Sequence, residues 1–270
     1  MYFQTQKFKF QKQFERLSIA VTTSDPCLQL AAQNIANKYF LSYVNISECE
    51  NFDFILKVSE QGLYLQNKEQ KNSWNLQIDF LKGEIGYRLR HIKGQKQLLL
   101  KAIGLKPKPK IEILDLTAGW GNDGFVLAQL GFSVTLLERS PIIHALLADG
   151  LHRALNHEKH SHLNIKLIHS DSIIFLKQIL KIKKFPDVIY LDPMYPHLNK
   201  SALARKEMCL LRKIVGDDVD AINLLPLALT CTKRVVVKRP RLAAFLAELP
   251  PHHSIFGKQH RFDIYLVTHN

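Results

Sequence analysis

The sequence predicts an α/β fold in which a mostly parallel sheet carries helices on both faces and ends in an antiparallel strand. From residue 111 onward, short uninterrupted apolar runs alternate with stretches of helical periodicity. Continuous apolar strands separated by helices are typical of a parallel sheet that is buried on both faces. Two strand patterns with no helix between them close the chain, HSIF and FDIYLVT, and they predict a C-terminal hairpin.

The elements of this α/β part follow one another in a regular order. The predicted parallel strands are IEILDLT, SVTLLE, IKLIH, DVIYLD and RVVVKR. The first three are each followed by a helical pattern, namely DGFVLAQL, PIIHALLADGLHRAL and SIIFLKQIL. A long helix over about residues 200–215 and a second helix over 221–230 are predicted between the last two strands.

The first part of the chain has a different pattern. Apolar residues alternate with polar ones in FDFILKV, GLYLQN and WNLQIDF, which predicts a small antiparallel meander. A strand near LSIAVTT and a helix over residues 26–39 precede it. We therefore predict a small N-terminal α+β lobe at residues 1–81, a basic helical bridge at 82–110 and the α/β domain at 111–270.

The composition favours a polyanionic partner. The 270 residues carry a formal net charge of +13, and the isoelectric point is near 9.5. The positive charge is concentrated in the bridge, where nine lysines and arginines stand against Glu84 alone. Such a block binds phosphates through charge neutralisation and counterion release. A solvated linker face is the alternative explanation.

The sequence also indicates where the protein acts. It has no run of about 18 uncharged apolar residues and no apolar signal-peptide core, so we expect a cytoplasmic protein without a membrane segment. The scattered cysteines favour reduced thiols. The histidine clusters have no cysteine or carboxylate at zinc-like spacing, so we expect no metal. Because no long apolar stripe is present, we expect a monomer.

A glycine-rich turn follows the first parallel strand. Gly119, Gly121 and Gly124 satisfy the pattern G-x-G-x-x-G, which brings the backbone and the N-terminus of the next helix close to a ligand. Taken alone, this match does not distinguish a dinucleotide from an adenosyl sulfonium compound. Asp115 precedes Gly119 by four residues, where a carboxylate repels a pyrophosphate but suits a cationic sulfonium and an ammonium group. The sequence therefore favours S-adenosylmethionine as the cofactor.

Acidic residues after the next two strands complete the predicted nucleoside site. Glu138 ends the second strand, about 20 residues after the glycine turn, where an acid accepts hydrogen bonds from ribose hydroxyls. Asp171 and Ser172 follow the third strand, where they can bond the adenine amino group and ring edge. The alternative for Asp171 is a helix N-cap, and the two roles are compatible.

The segment after the fourth strand is the predicted catalytic element. It reads Asp192-Pro193-Met194-Tyr195-Pro196. Methylation of an exocyclic amine needs acceptors that align the lone pair of the amine with the methyl group, and Asp192 supplies a carboxylate at the strand tip. Pro193 rigidifies the turn and exposes a carbonyl group, and Tyr195 offers a ring on which a flipped base can stack. A tight turn that only ends the strand is the alternative.

Basic residues of the bridge and around this element are predicted to grip the phosphates of a nucleic acid. Lys238 and Arg239 follow the fifth strand at the same predicted sheet edge as Asp192. The complete predicted set is Arg88, Arg90, Lys93, Lys96, Lys200, Arg205, Lys206, Lys238 and Arg239.

Several long motifs occur in the order in which one known family has them. They are LDLTAGWGNDGFVLAQLG, LLERSPIIHALLADGL, YLDPMYPHLNKSALARKEM, TKRVVVKRP and HRFDIY. On these motifs the chain resembles the RsmJ family of bacterial small-subunit ribosomal RNA guanine-N2 methyltransferases, over about residues 101–268. The chain departs from the family pattern at Trp120 and Asn122, where leucine and arginine are usual. Met194 replaces the second proline of the D-P-P-[FY] element of amino-methyltransferases.

The resemblance implies a Rossmann-like class I methyltransferase fold. It also implies transfer of a methyl group from S-adenosyl-L-methionine to the 2-amino group of one guanosine, which leaves S-adenosyl-L-homocysteine. The implied partner is small-subunit ribosomal RNA or the assembling small ribosomal subunit. The implied cofactor contacts are Asn122, Asp123, Glu138, Arg139, Asp171, Ser172 and Asp192.

Three other functions stay open on the residues alone. The acceptor can be a DNA adenine, a protein glutamine or a small amine, because D-P-x-Y does not separate these amines. The glycine pattern also fits an NAD-dependent oxidoreductase, although Asp115 is unsuited to a pyrophosphate and no proton-relay pair is evident. A non-catalytic RNA-binding module would show salt-dependent RNA binding without cofactor binding.

Overall fold

The chain forms two compact units. The computed structural model describes residues 18–67, 75–81, 93–193 and 221–267. The first unit contains the described residues up to 78 together with 140–153, and the second unit contains the other described residues. The three parts predicted from the sequence stay a prediction, and the division into units differs from them chiefly at residues 140–153.

The first unit is built on a five-stranded sheet. Its elements are β1 (Ile19–Thr23), α1 (Gln29–Tyr39), β2 (Ser42–Tyr43), β3 (Phe54–Ser59), β4 (Gly62–Asn67) and β5 (Asn75–Leu76). The strand order is β2-β1-β3-β4-β5. The predicted meander is present, since β3, β4 and β5 pair antiparallel in sequence order. The first strand pairs parallel with both β2 and β3, because α1 crosses over between β1 and β2.

The second unit is built on a mixed sheet. The remaining α-helices and strands of the described residues are α2 (Lys93–Ile103), β6 (Glu112–Asp115), α3 (Asn122–Gln129), β7 (Ser133–Glu138), α4 (Pro141–Leu155), β8 (Ile165–His169), α5 (Ser172–Ile182), β9 (Val188–Leu191), α6 (Ala221–Leu229), β10 (Arg234–Pro240), β11 (His253–Phe256) and β12 (His260–Leu266). The seven strands have the order β11-β12-β10-β9-β6-β7-β8. Neighbours from β10 to β8 are parallel, whereas β12 pairs antiparallel with β10 and β11. The predicted mostly parallel sheet with a C-terminal hairpin is confirmed.

The described part of the predicted basic bridge is residues 93–110, which begin with the helix α2. This helix packs against the C-terminal hairpin strands β11 and β12 in the second unit. The start of the bridge, residues 82–92, lies outside the described residues, and so does the long helix predicted over 200–215.

The apolar runs of the sequence form a core in which the parallel strands pack against helices. Every residue of β9 is buried, and Val235 and Val237 of β10 are inaccessible to solvent. The helix α6 carries no charged residue, and its Leu225 packs with Leu176 of α5 in the same cluster. Buried apolar surface contributes roughly 25 cal/mol per Å². This packing fixes the sheet edge at which β9 and β10 end.

Residues 140–153, which include most of α4, belong to the first unit, and a small residue allows one close approach there. Gly150 lies against Ile78, and a Cβ atom at residue 150 would come within 2.6 Å of the Ile78 carbonyl oxygen. One turn further along, Arg153 donates a hydrogen bond to that same oxygen. The helical pattern of α4 was visible in the sequence, but this contact was not.

A buried ion pair ties the hairpin to the segment that follows β10. Arg261 and Asp263 of β12 expose 5% and 0% of their side chains, and N–H···O contacts of 2.8 and 3.0 Å join them. The Arg261 guanidinium also donates to the carbonyl oxygens of Arg241 and Ala243. Ser254 of β11 donates to the Asp263 carboxylate. The carboxylate therefore compensates a cation that the fold has removed from water.

Replacing Asp263 with alanine is expected to lower the free energy of unfolding by about 3–5 kcal/mol, because it leaves the buried Arg261 cation without its counter-charge. Chemical denaturation followed by circular dichroism measures this change. Glu158→Ala removes an exposed carboxylate and is the matched control, with an expected change of no more than about 0.5 kcal/mol. Equal effects of the two substitutions would contradict the role given to the ion pair.

Candidate active site

The carboxyl ends of the parallel strands bring predicted site residues to one edge of the sheet. Asp115 ends β6, Glu138 ends β7, and Asp171 follows β8 by two residues. Asp192 follows β9 directly, and Lys238 lies near the end of β10. Because β6 lies between β7 and β9, the strand order reverses at this point. Ligands of open α/β sheets bind at such a point, outside the carboxyl ends of the strands.

The turn between β6 and α3 has a backbone conformation that favours glycine. Gly119 and Gly121 have φ angles of 51° and 73°, in the left-handed region. Gly121 is the N-cap of α3 and Asn122 is its exposed first residue, so the unpaired N–H groups of the helix lie at this edge. Gly124 packs against Leu136 of β7, where a Cβ atom would clash with the leucine side chain. The turn therefore allows a ligand to approach the backbone closely.

Hydrogen bonds fix the acidic residues that follow β7 and β8. One carboxylate oxygen of Glu138, a residue that is 7% exposed, accepts the Gly119 N–H at 3.0 Å. Asp171 is the N-cap of α5, because its side chain accepts a backbone N–H of the first helical turn. The hydroxyl of Ser172 donates to the Leu116 carbonyl oxygen at 2.6 Å. The N-cap alternative for Asp171 is thus observed, and its contact with adenine stays a prediction.

Asp115 is a buried acid in a negatively charged environment. It is 2% exposed, and one carboxyl oxygen accepts the Thr117 N–H at 3.0 Å. Burial raises the pKa of Asp115 to about 8; the Thr117 hydrogen bond opposes the rise, the Asp123 and Asp192 carboxylates add to it, and the Lys238 ammonium opposes it. Asp115 is therefore mostly protonated at pH 7 until a cation beside it favours the carboxylate.

Lys238 joins the glycine turn to the predicted catalytic element. Its Nζ atom donates to Asp123 Oδ2 at 2.6 Å and to Asp192 Oδ2 at 2.8 Å. Tyr190 lies two residues before Asp192 on the same face of β9, and its hydroxyl donates to the same Asp123 oxygen at 2.7 Å. Burial lowers the pKa of Lys238, but the two carboxylates outweigh this effect and hold the pKa above its ordinary value.

The pKa values of the two carboxylates that Lys238 binds are shifted in opposite directions. Burial raises the pKa of Asp123, but the charge and hydrogen bond of Lys238 and the Tyr190 hydroxyl outweigh it, so the pKa is lowered. Burial also raises the pKa of Asp192; Lys238 opposes the rise, Asp123 adds to it, and the pKa stays above its ordinary value. The ammonium of Lys238 is thus the main influence that favours the ionised form of Asp192.

Two contacts that position Asp192 could not be predicted from the sequence. The Asp192 N–H donates to the Thr117 hydroxyl oxygen at 2.6 Å, which ties the end of β9 to the strand segment that follows β6. Val237 pairs with Leu191, so the next residues along β10 and β9, Lys238 and Asp192, lie opposite each other. A threonine two residues after Asp115 and a lysine in β10 were visible signals. Their roles depend on strand order and register, which the sequence does not show.

The side chains of Lys238 and Arg239, which were predicted to contact phosphates, contact groups of the protein in the structure. The Lys238 ammonium binds two carboxylates and is 24% exposed. Arg239 is 6% exposed, and its guanidinium donates to the Ala244 carbonyl oxygen at 2.8 Å. Both side chains turn toward the protein because it supplies acceptors for their N–H groups. Contact of these two residues with RNA phosphates stays a prediction.

The remaining predicted residues divide into placed and undescribed ones. Pro193 is buried directly after Asp192, and the partly exposed Arg139 follows β7. Lys93 and Lys96 lie in the first turns of α2. The predicted residues outside the described ranges are Arg88, Arg90, Tyr195, Lys200, Arg205 and Lys206.

Among residues 18–67, 75–81, 93–193 and 221–267, no helix has the length and apolarity needed to cross a bilayer. Within these ranges, no group of three or more His, Cys, Asp or Glu side chains is arranged to hold a metal ion.

Comparison with known proteins extends over nearly the whole chain. A family model described as a putative SAM-dependent methyltransferase matches residues 39–267. The ribosomal RNA small subunit methyltransferase J of Coxiella burnetii is 44% identical over 251 residues, which cover 93% of this chain and 97% of the relative. The protein of the same name from Nitrosococcus oceani is 50% identical over 215 residues, which cover 78% of this chain and 84% of the relative.

A solved structure agrees with these sequence matches. The crystal structure of a SAM-dependent methyltransferase from Neisseria gonorrhoeae has a TM-score of 0.71 and 31% identity, and the match covers 92% of this chain and 95% of that one. The chain belongs to the ribosomal RNA small subunit methyltransferase J family of S-adenosylmethionine-dependent methyltransferases.

Proposed function

We propose that this protein transfers a methyl group from S-adenosylmethionine to the exocyclic N2 amino group of a guanosine in small-subunit ribosomal RNA. The observation that carries the proposal is the carboxyl-edge cluster, in which Lys238 joins Asp192 to Asp123 of the helix that begins at the glycine turn. The name of the relatives supports ribosomal RNA as the substrate. We further propose that the enzyme acts in the cytoplasm as a monomer on this RNA or on the assembling small subunit.

The residues at this edge fit S-adenosylmethionine in shape and in charge. The left-handed turn at Gly119 and Gly121 lets a ligand approach the backbone, and Glu138 supplies the acid that accepts hydrogen bonds from ribose hydroxyls. Asp115 is a buried acid that ionises readily beside a cation, which suits a sulfonium and an ammonium group. The residues proposed to hold the cofactor are Asp115, Gly119, Gly121, Asn122, Asp123, Glu138, Arg139, Asp171, Ser172 and Asp192.

Methyl transfer requires alignment of the amine with the methyl group more than activation of the amine. The cofactor supplies an electrophilic methyl group on a positively charged sulfur, which is a good leaving group. Asp192 accepts a hydrogen bond from the target amine and so directs the lone pair of the amine toward the methyl group. The carboxylate also stabilises the positive charge that develops on the nitrogen. The N–C bond forms as the C–S bond breaks, and the surplus amine proton leaves by way of this carboxylate to water. The buried Pro193 fixes the turn that aims the carboxylate.

Lys238 keeps Asp192 in the form that this role requires. A protonated acid would offer the amine a hydrogen-bond donor in place of an acceptor. Burial and the neighbouring Asp123 carboxylate both favour that protonated form, and the Lys238 ammonium at 2.8 Å opposes them. The lysine therefore acts through Asp192 as a positioning residue, and it needs no contact with the substrate.

Incubation with tritium-labelled S-adenosylmethionine is expected to label unmodified small-subunit ribosomal RNA or its precursor particle. Mass spectrometry of the digested RNA is expected to identify N2-methylguanosine. Asp192→Ala should lower kcat by about 100-fold or more, because the amine loses the carboxylate that aligns it. Glu158→Ala, which removes an exposed carboxylate, should keep wild-type activity.

Two results would overturn this account of the reaction. Near wild-type activity of Asp192→Ala would remove Asp192 from the catalytic role. A product identified as methylated adenine, protein glutamine or a small amine would replace guanosine as the acceptor.

Lys238→Met is expected to shift the acidic limb of the pH–kcat profile to higher pH. The substitution removes the cation that lowers the pKa of Asp192, so a higher pH is needed to form the active carboxylate. Lys238→Arg should restore most of the wild-type profile. The matched control is Lys166→Met, which removes an exposed lysine from β8. A lower kcat with an unmoved acidic limb would assign Lys238 a purely structural role.

A further inference from the structure

Exposed apolar and basic side chains lie on the segment that follows β10 and at the end of β11. Leu242 is 94% exposed and Phe256 is 54% exposed. Arg241 is exposed between β10 and Leu242. Large apolar side chains left in water lose the stabilisation that burial would provide, and grouped ones mark interaction surfaces. We call Arg241, Leu242 and Phe256 the platform.

Two buried arginines hold residues 241–244, the segment that carries Arg241 and Leu242, in place. Arg261 donates to the carbonyl oxygens of Arg241 and Ala243 at 2.9 and 2.8 Å. Arg239 donates to the Ala244 carbonyl oxygen at 2.8 Å. Leu242, in the middle of this segment, buries almost no surface, so apolar packing of its side chain does not explain these bonds. They preorganise an exposed tip, which lowers the entropic cost of binding a partner there.

The platform lies next to the catalytic edge. Lys238, which binds Asp192, lies two residues before the end of β10 at Pro240, and Arg241 follows. Three residues of extended chain span about 10 Å. His260, the pairing partner of Pro240, contributes to the charge environment of Asp192, so the hairpin turn lies at the same edge. A substrate that reaches Asp192 therefore passes close to the platform.

The platform combines a cation with an aromatic ring, the pair that stacks on nucleic-acid bases. The Arg241 guanidinium lies 5.4 Å from the centre of the Phe256 ring and donates to the Gly257 carbonyl oxygen at 2.7 Å. Lys258 is exposed in the adjacent turn, and Glu248 is the sole carboxylate in the sequence from 241 to 260. This local charge agrees with the formal net charge of +13 and favours a polyanion with exposed bases.

We propose that Arg241, Leu242 and Phe256 bind the unpaired RNA nucleotides that flank the target guanosine. Bases stack on the Phe256 ring and the Arg241 guanidinium, and Leu242 contacts the face of a neighbouring base. This inference rests on the proposed function, since it takes ribosomal RNA as the substrate.

Phe256→Ser and Leu242→Ser are each expected to raise the KM for unmodified small-subunit particles about fivefold or more, because a stacked base contributes at least that much affinity. Affinity for S-adenosylhomocysteine, measured by calorimetry without RNA, should equal that of the wild type, and so should the thermal unfolding curve. Phe185→Ser is the matched control, because Phe185 is 45% exposed but precedes β9 at the amino edge of the sheet. Its KM should not change.

Filter binding of labelled small-subunit ribosomal RNA separates this inference from the proposed function, because it requires no methyl transfer. If the wild-type enzyme methylates no RNA, the proposed function fails, and weaker RNA binding by both platform variants still supports the platform. Platform variants that bind RNA like the wild type and keep its KM would overturn the platform.

Photocrosslinking identifies what covers the platform. Leu242→p-benzoylphenylalanine, irradiated with unmodified small-subunit particles, is expected to crosslink to ribosomal RNA. A crosslink to a ribosomal protein alone would overturn the assignment of RNA as the occupant.

Discussion

Repulsion among three carboxyl groups is the constraint on which the site depends. The fold brings Asp115, Asp123 and Asp192 to the carboxyl edge of one sheet, where burial also disfavours their ionised forms. The protein relieves this repulsion in two ways. The Lys238 ammonium binds two of the carboxylates. The third acid, Asp115, has its pKa raised to about 8 and so stays mostly protonated at neutral pH. An acidic site of this kind favours a cationic ligand.

Alternation along β10 connects the chemistry of the site to the surface beside it. Neighbouring residues of a strand point to opposite faces of a sheet. Lys238 accordingly turns toward the carboxylates, whereas Arg239 turns away and binds the Ala244 carbonyl oxygen of the following segment. The Arg261–Asp263 pair of β12 holds the same segment from the neighbouring strand. One short stretch of strand thus positions the carboxylate proposed to be catalytic and the surface proposed to meet the RNA.

Much of this arrangement could be predicted from local sequence, and the rest depends on long-range contacts. Solid apolar runs separated by helical patterns predict the parallel strands, and the acids at their ends share an edge as a consequence. Glycines at 119 and 121 could be assigned to a turn because their left-handed conformation is unfavourable for other residues. The partners of Lys238 and Arg239 depend on register, and the placement of α4 depends on a contact between Gly150 and Ile78 that is distant in sequence.

Proton release on cofactor binding tests the central claim most directly. Titration calorimetry of S-adenosylmethionine in buffers of different ionisation enthalpy counts the protons exchanged. A cation beside Asp115 favours its carboxylate, so about one proton per cofactor should be released at pH 7, with less release above pH 8 and affinity that rises toward that pH. Asp115→Asn should abolish the release. No proton exchange at pH 7, or equal release from Asp115→Asn, would contradict the claim that a cation completes this acidic site.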